Sequence, residues 1–170
     1  DELTGLSNRR DMQHRLNEEF SRYQRSGHHF SVALIDMDMF KHINDKYGHD
    51  AGDQALRDFV SIMQFVIRQT DVASRWGGEE FLVLLPDTSL LQALTLAERL
   101  RQTVSEHEFS CAGELIPVTI SAGICSIANI GSINELLKQA DIYLYNAKES
   151  GRNRIAPRVK TQDCRSNDSC

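Results

Sequence analysis

Val72-Ala73-Ser74-Arg75-Trp76-Gly77-Gly78-Glu79-Glu80-Phe81-Leu82-Val83-Leu84-Leu85 is the stretch that decides the fold. Residues 72–76 and 81–85 are two strand-like runs. Gly77 and Gly78 stand between them, the composition of a tight β-hairpin turn. Pro86 closes the second run, because it cannot extend a ladder.

Working outward, helical and strand-like segments alternate. Downstream, Leu90, Leu94, Ala97 and Val104 recur at helical spacing within residues 89–106. Residues 118–124 alternate apolar and small polar side chains, which predicts a strand with one covered face. Ile133, Leu136, Leu137, Ala140, Leu144 and Ala147 predict a last helix, with Gly151 as its stop. Upstream, Leu56, Phe59, Ile62, Met63, Val66 and Ile67 form the apolar stripe of a long helix, and residues 40–47 read as a shorter one before Gly48. Residues 30–35 are a buried strand that ends on Asp36-Met37-Asp38. Met12, Leu16, Phe20 and Tyr23 give a first helix that stops near Gly27. Strands alternating with helices around one hairpin predict an α/β (α+β) fold of the ferredoxin-like, split βαβ kind, with a mostly antiparallel sheet. Residues beyond about Pro157 are polar and aperiodic. One domain over 1–157 and a disordered polar tail over 158–170 are expected.

Composition narrows the function. The 170 residues are 41% hydrophobic and 25% charged, enough apolar material for a core without staples. A net charge of −5 argues against a sequence-independent nucleic-acid binder, which needs a basic surface to neutralise phosphates. A small anionic substrate needs only a few local cations. Cys111, Cys125, Cys164 and Cys170 form no C-x-x-C pair and have no histidine at metal spacing, so zinc and redox chemistry are not indicated. With no apolar run of membrane-spanning length and no sign of an oxidising compartment, the fragment is expected to be cytoplasmic and to make no direct membrane contact. The start at Asp1 reads as the opening of a domain within a longer protein, which an upstream region could anchor to a membrane.

The chemistry is concentrated in carboxylates. Two acidic residues at the end of a buried strand are costly in a core, so Asp36 and Asp38 are expected at the sheet's edge, in water or on a cation. If the hairpin neighbours that strand, Glu79 and Glu80 meet Asp36. Hard oxygen ligands without histidine or cysteine select Mg²⁺ or Mn²⁺, which usually sit between carboxylates and substrate phosphates. A solvated acidic turn is the plainer alternative on spacing alone.

Gly77-Gly78-Glu79-Glu80-Phe81 resembles the signature of the GGDEF family of diguanylate cyclases, in its GGEEF form. Three further stretches resemble the family in the same order. They are the opening Asp1-Glu2-Leu3-Thr4-Gly5-Leu6 with Asn8-Arg9-Arg10; Asp36 to Lys41 with Asn44-Asp45, Gly48-His49-Asp50 and Gly52-Asp53; and Ala140-Asp141 with Tyr143, Ala147-Lys148 and Gly151-Arg152-Asn153-Arg154. Trp76 stands where the family more often has Tyr.

The resemblance implies condensation of two GTP into cyclic di-GMP with release of two pyrophosphates. It implies two Mg²⁺ (or Mn²⁺) held by Asp36, the Met37 carbonyl, Glu79 and Glu80, with Glu80 as second-metal ligand or as the base for the 3′-hydroxyl. Asp38 is expected to support the site rather than to ligate. Asn44 and Asp53 are implied as guanine readers, since a carboxylate can accept from guanine N1–H and its exocyclic amine together; Asp53 could otherwise be a helix N-cap. Phe40 and Lys41 amides, with Lys148 and Arg152, are implied on the triphosphate. Lys148 and Arg152, four apart, are expected to share a helix face. His49 is read as a secondary contact or a structural hydrogen-bonding residue, and Gly77 and Gly78 as allowing close approach of substrate. Arg68-x-x-Asp71 with Arg99 resembles the family's product-inhibition site, against the alternative of an ordinary surface pair. A symmetric product from one GTP per domain implies a transient homodimer, and the family commonly governs biofilm formation. Two other readings stay open: a silent module that binds GTP or cyclic di-GMP, and a cyclase for another nucleotide, which Asn44 and Asp53 disfavour.

Overall fold

The computed structural model describes residues 1–157, apart from Ala112, Asn129 and the side chain of Cys111. The expected polar tail lies outside the described residues. The elements follow as β1 (Ser7–Asn8), α1 (Arg9–Ser26), β2 (Ser31–Met37), α2 (Phe40–Tyr47), α3 (His49–Val66), β3 (Val72–Arg75), β4 (Glu80–Leu85), α4 (Leu90–Glu106), β5 (Phe109–Cys111), β6 (Glu114–Ile116), β7 (Ile120–Ser126), α5 (Ile133–Glu149) and β8 (Arg154–Ala156).

Six strands form one sheet in the order β1-β3-β4-β2-β7-β8, and β5 pairs with β6 separately. β2 is antiparallel to both β4 and β7, and β3 is antiparallel to β4. The four inner strands have the ferredoxin-like order, and short parallel edge strands β1 and β8 flank them.

Alternation along β2 divides the core. Ala33, Ile35 and Met37 face a layer built from α2, α3 and α4, where Phe59 and Phe81 meet edge-on with ring centroids 4.8 Å apart. Val32 and Leu34 face α1 and α5, through Met12, Leu16, Leu136, Ala140 and Leu144. Every residue of β7 is buried. The expectation of a single covered face is therefore corrected: the small residues of that strand, Ser121 and Gly123, lie under α5. At Gly123 the helix comes so close that a Cβ would stand 2.0 Å from the Ala140 carbonyl oxygen and 2.4 Å from the Leu144 nitrogen.

Local chemistry explains the helix ends. Asn8 caps α1 by accepting from the Asp11 amide, and Gly27 ends it at φ 70°. Ser89 and Gln92 make a reciprocal capping box at the start of α4. Gly48, at φ 87°, turns the chain between α2 and α3. Helix α3 starts at His49, so Asp53 lies inside it and the N-cap alternative for Asp53 is overturned. The long helix begins earlier than its apolar stripe, because its first turn, His49-Asp50, is polar.

Candidate active site

The site lies where β2 ends. Register places Asp36 directly opposite Glu80 of β4 on one side and Ser121 of β7 on the other. One residue on, the Met37 amide donates to the Glu79 carbonyl at 3.3 Å. Strand pairing thus brings the signature glutamates to the aspartate that the sequence singled out. Glu79 and Glu80 are half-buried.

The two aspartates are not at the sheet's edge. Asp36 and Asp38 are 6% and 5% exposed, at the end of a central strand. Each has a distinct compensation for its burial. Asp36 faces the α5 side, where the Lys148 ammonium lies 2.7 Å from its Oδ2. Burial pushes the Asp36 carboxyl up to about 6; Lys148 opposes that rise, and the neighbouring Glu79 and Glu80 add to it. Asp38 accepts from the Ser121 hydroxyl at 2.7 Å, the Thr119 hydroxyl at 2.8 Å and the Asn153 amide at 2.9 Å. These three bonds occupy most of its acceptor capacity and tie the end of β2 to the turn after α5.

That turn changes one expectation. Helix α5 stops at Glu149, and Arg152 stands beyond it at φ 59°. Lys148 and Arg152 are therefore not successive turns of one helix face. The Arg152 amide donates back to the Ala147 carbonyl at 3.2 Å, which folds the turn onto the helix end. Lys148 does not spend its charge on the helix C-terminus; it reaches Asp36.

Helix α2 opens at Phe40, so the amides of Phe40 and Lys41 lie in its first turn, where backbone N–H groups have no intrahelical acceptor. Met39, before them, holds the left-handed conformation at φ 57°. Asn44 sits on the same helix, half-buried beside Gly52. Asp53 is half-buried one residue further along α3. His49 is exposed at the first position of α3.

The hairpin loop is wider than a two-residue turn. It spans the four residues between β3 and β4, and the Glu80 carbonyl accepts from the Trp76 amide at 2.8 Å and the Gly77 amide at 3.1 Å. At Gly77 the lack of a side chain matters, because a Cβ would stand 2.9 Å from Glu80 Oε2. The Gly78 carbonyl accepts two bonds from the Arg75 guanidinium, at 2.9 and 2.8 Å. Arg75 also meets the Asp1 carboxylate at 3.3 Å, and Arg9 lies over the Trp76 ring at 4.5 Å. Sequence reading missed this latch between the chain's opening and the signature loop. Opposite charges at Asp1 and Arg75 were visible, but only the β1–β3 pairing brings them together.

The donors near this strand end are oxygens, the type a hard cation takes. Strand register brings Glu79 and Glu80 near Asp36, and their charges add to the rise of its carboxyl. Among the described residues, no three acidic, histidine or cysteine side chains alone form a ligand group for an ion. A metal here would take further oxygens from the Met37 backbone and from substrate phosphates.

On the far side of α3, Arg68 and Arg99 line one open cavity of about 340 Å³, and Arg99 donates to the Val66 carbonyl at 2.6 Å. Asp71 accepts from the Arg68 amide at 2.8 Å through Oδ2, while its Oδ1 is buried without a partner among the described residues. Asp71 lines a second cavity of about 330 Å³, which Arg68 also borders.

The site thus combines strand-end carboxylates, a lysine on one of them and helix-start amides in an α/β domain. The chain belongs to the GGDEF family: the model described as diguanylate cyclase, GGDEF domain, matches residues 1–154. The chain is 47% identical over 158 residues to response regulator PleD of Caulobacter vibrioides, covering 91% of this chain and 35% of that protein. It thus spans about a third of that curated relative. Among solved structures, the GGDEF domain of DgcB from Caulobacter crescentus, in complex with c-di-GMP, superposes with a TM-score of 0.87 at 32% identity, covering 91% of this chain and 92% of that one. The active GGEEF domain of a diguanylate cyclase from Vibrio cholerae superposes with a TM-score of 0.82 at 37% identity, covering 88% and 95%.

Proposed function

We propose that residues 1–157 form a catalytic unit that condenses two GTP into cyclic di-GMP. The observation that carries this is the register of β2, which sets Asp36 opposite Glu80 and beside Glu79, with Lys148 over the carboxylates. Family membership supports the reading, and so does a relative solved with c-di-GMP.

The residues divide the work. Asn44 and Asp53 read the guanine edge, and an unpaired reader disfavours adenine. The open amides of Phe40 and Lys41, with Lys148 and Arg152, hold the triphosphate. Gly77 and Gly78 let substrate approach the loop. Asp36, Glu79, Glu80 and the Met37 carbonyl would hold one or two Mg²⁺, which supply charge neutralisation at the phosphates when bound. Lys148 then exchanges Asp36 for phosphate oxygens. Where Glu80 is not engaged as a ligand, its carboxylate accepts the proton of the 3′-hydroxyl. The 3′-oxygen attacks the α-phosphorus of the GTP held by a second domain, the P–O bond to the β-phosphate breaks, and pyrophosphate leaves. A second, symmetric attack closes the ring. Each domain presents one GTP, so two domains meet face to face. His49 is at most a peripheral contact at the mouth of the site.

Product returns to Arg68, Asp71 and Arg99. Two guanidiniums bordering one cavity suit the phosphates and guanine edge of cyclic di-GMP, and Asp71 holds the Arg68 backbone beside it through the bond from the Arg68 amide.

The test is the order of the reaction in protein. Initial rates of cyclic di-GMP formation measured over a hundredfold range of protein should rise more steeply than linearly. Strictly linear rates down to the lowest concentration would refute the two-domain mechanism.

A further inference from the structure

Gly52 is buried in the first turns of α3, and its backbone does not explain it. Its φ is not positive, unlike those of Gly48 and Gly151, and glycine is an unfavourable residue inside a helix. Space explains it. A Cβ at this position would stand 1.9 Å from Asn44 Oδ1, 3.0 Å from Asn44 Cγ and 3.1 Å from Phe40 Cζ. The first distance is shorter than any real carbon–oxygen contact, so the Asn44 carboxamide fills the volume that a side chain at 52 would need.

The corner between the helices fixes this relation. The Gly48 amide donates to the Asn44 carbonyl at 2.9 Å, and the Gly52 amide donates to the Gly48 carbonyl at 3.2 Å. Helix α2 ends as α3 begins, and Asn44 is held against the first turns of α3. Asp53 follows Gly52 directly. The two groups assigned to the guanine edge therefore come from two helices that pack closely where Gly52 leaves room.

We infer that Gly52 is a specificity-determining position: its missing side chain seats the Asn44 carboxamide beside Asp53, and any larger residue there unseats it. This rests on the reading of Asn44 and Asp53 as guanine readers. The atom at 1.9 Å is the end of a flexible side chain, not backbone, and Phe40 Cζ at 3.1 Å need give by only a few tenths of an ångström. Gly52→Ala therefore displaces Asn44 without disrupting the helix pair, and affinity for guanine falls while the fold persists. Gly52 touches no reacting atom and acts through Asn44; it is a positioning residue.

A double-mutant cycle separates this from a structural effect. Gly52→Ala, Asn44→Ala and the double variant are compared in binding α,β-methylene-GTP and α,β-methylene-ATP by calorimetry with Mg²⁺, beside a thermal melt of each. Loss of one uncharged hydrogen bond to the base weakens the GTP analogue by up to about tenfold. Gly52→Ala and Asn44→Ala should each do so, leave the ATP analogue unchanged and melt near the wild-type temperature. The double variant should bind the GTP analogue no more weakly than Asn44→Ala alone. It also removes the obstruction, so it reports even if Gly52→Ala folds poorly. Normal GTP-analogue binding by Gly52→Ala, or losses that add in the double variant, would overturn the inference while sparing the guanine reading. An Asn44→Ala protein whose preference for guanine is undiminished would remove the reading of Asn44 and the inference together.

Discussion

Asp36→Asn should make the metal-free protein more stable while destroying its chemistry. In the folded chain the carboxyl rises from 3.8 to about 6, chiefly through burial, with Lys148 opposing and Glu79 and Glu80 adding to the rise. A difference of about 2.2, at about 1.36 kcal/mol per pKa unit, penalises the charged form by about 3 kcal/mol. The sign follows from linkage. A carboxyl raised by folding favours the folded state fully below pH 3.8, and that contribution is lost as pH climbs through about 6. At pH 7 the wild type carries the whole penalty. Asparagine has the same shape without the charge, and Lys148, 30% exposed, can turn to water. Since Lys148 loses its partner, the net gain should be about 1–3 kcal/mol, a rise of several degrees in melting temperature for a chain of this size. The assay is a series of thermal melts of both proteins in chelator from pH 4 to 7.5. The gap should be widest near neutrality and close towards pH 4. A variant less stable than wild type at pH 7, or a gap independent of pH, would refute the reasoning.

Other outcomes follow from the same geometry. Gly123→Ala would need the α5 backbone to retreat from 2.0 Å to ordinary contact at 3.4 Å or more; overpacking of this kind costs about 1–3 kcal/mol, and since α5 carries Lys148, activity should fall too. A denaturant melt indistinguishable from wild type would contradict this. Cys125 is buried, with its thiol pushed up to about 11 by burial; peptide mapping after iodoacetamide treatment at pH 8 should find it unmodified in the native protein and alkylated in urea. Arg68→Ala should shift the cyclic di-GMP inhibition curve to higher concentration by about tenfold or more, and an unmoved curve would remove Arg68 from the inhibitory site.

Much of this architecture is legible in the sequence, because its signals are local. The apolar periods of α1, α3, α4 and α5 and the runs of β2, β3, β4 and β7 are each strong enough to place an element. The edge strands are not. Ser7–Asn8 and Arg154–Ala156 are too short for a period of two to show, and they are strands only because the sheet offers them partners. The β5–β6 pair fails for the same reason. Boundaries slip where tertiary contacts extend an element past its apolar run: β2 continues through Asp36 and Met37 because β4 and β7 supply ladder partners for both.

The site divides in the same way. Residue types and their order pointed to Asp36, Glu79 and Glu80, and the register of β2 against β4 is what makes them meet. Sequence spacing misled at Arg152, because the helix ends before it, and at Asp53, because the helix starts before it. Spacing said nothing of Lys148 on Asp36, of Arg75 on Asp1 or of the clearance at Gly52. Each of those depends on elements distant in sequence or on the angle at a corner. Among the described residues no helix is long and apolar enough to cross a membrane.

The most direct test of the central claim is product identification. The protein is incubated with GTP and Mg²⁺ at high concentration, beside Glu80→Gln, and the nucleotides are separated by chromatography. The account predicts cyclic di-GMP and pyrophosphate from the wild type and neither from Glu80→Gln. Unchanged GTP with the wild type, in protein that binds GTP and has been locked as a dimer, would contradict it.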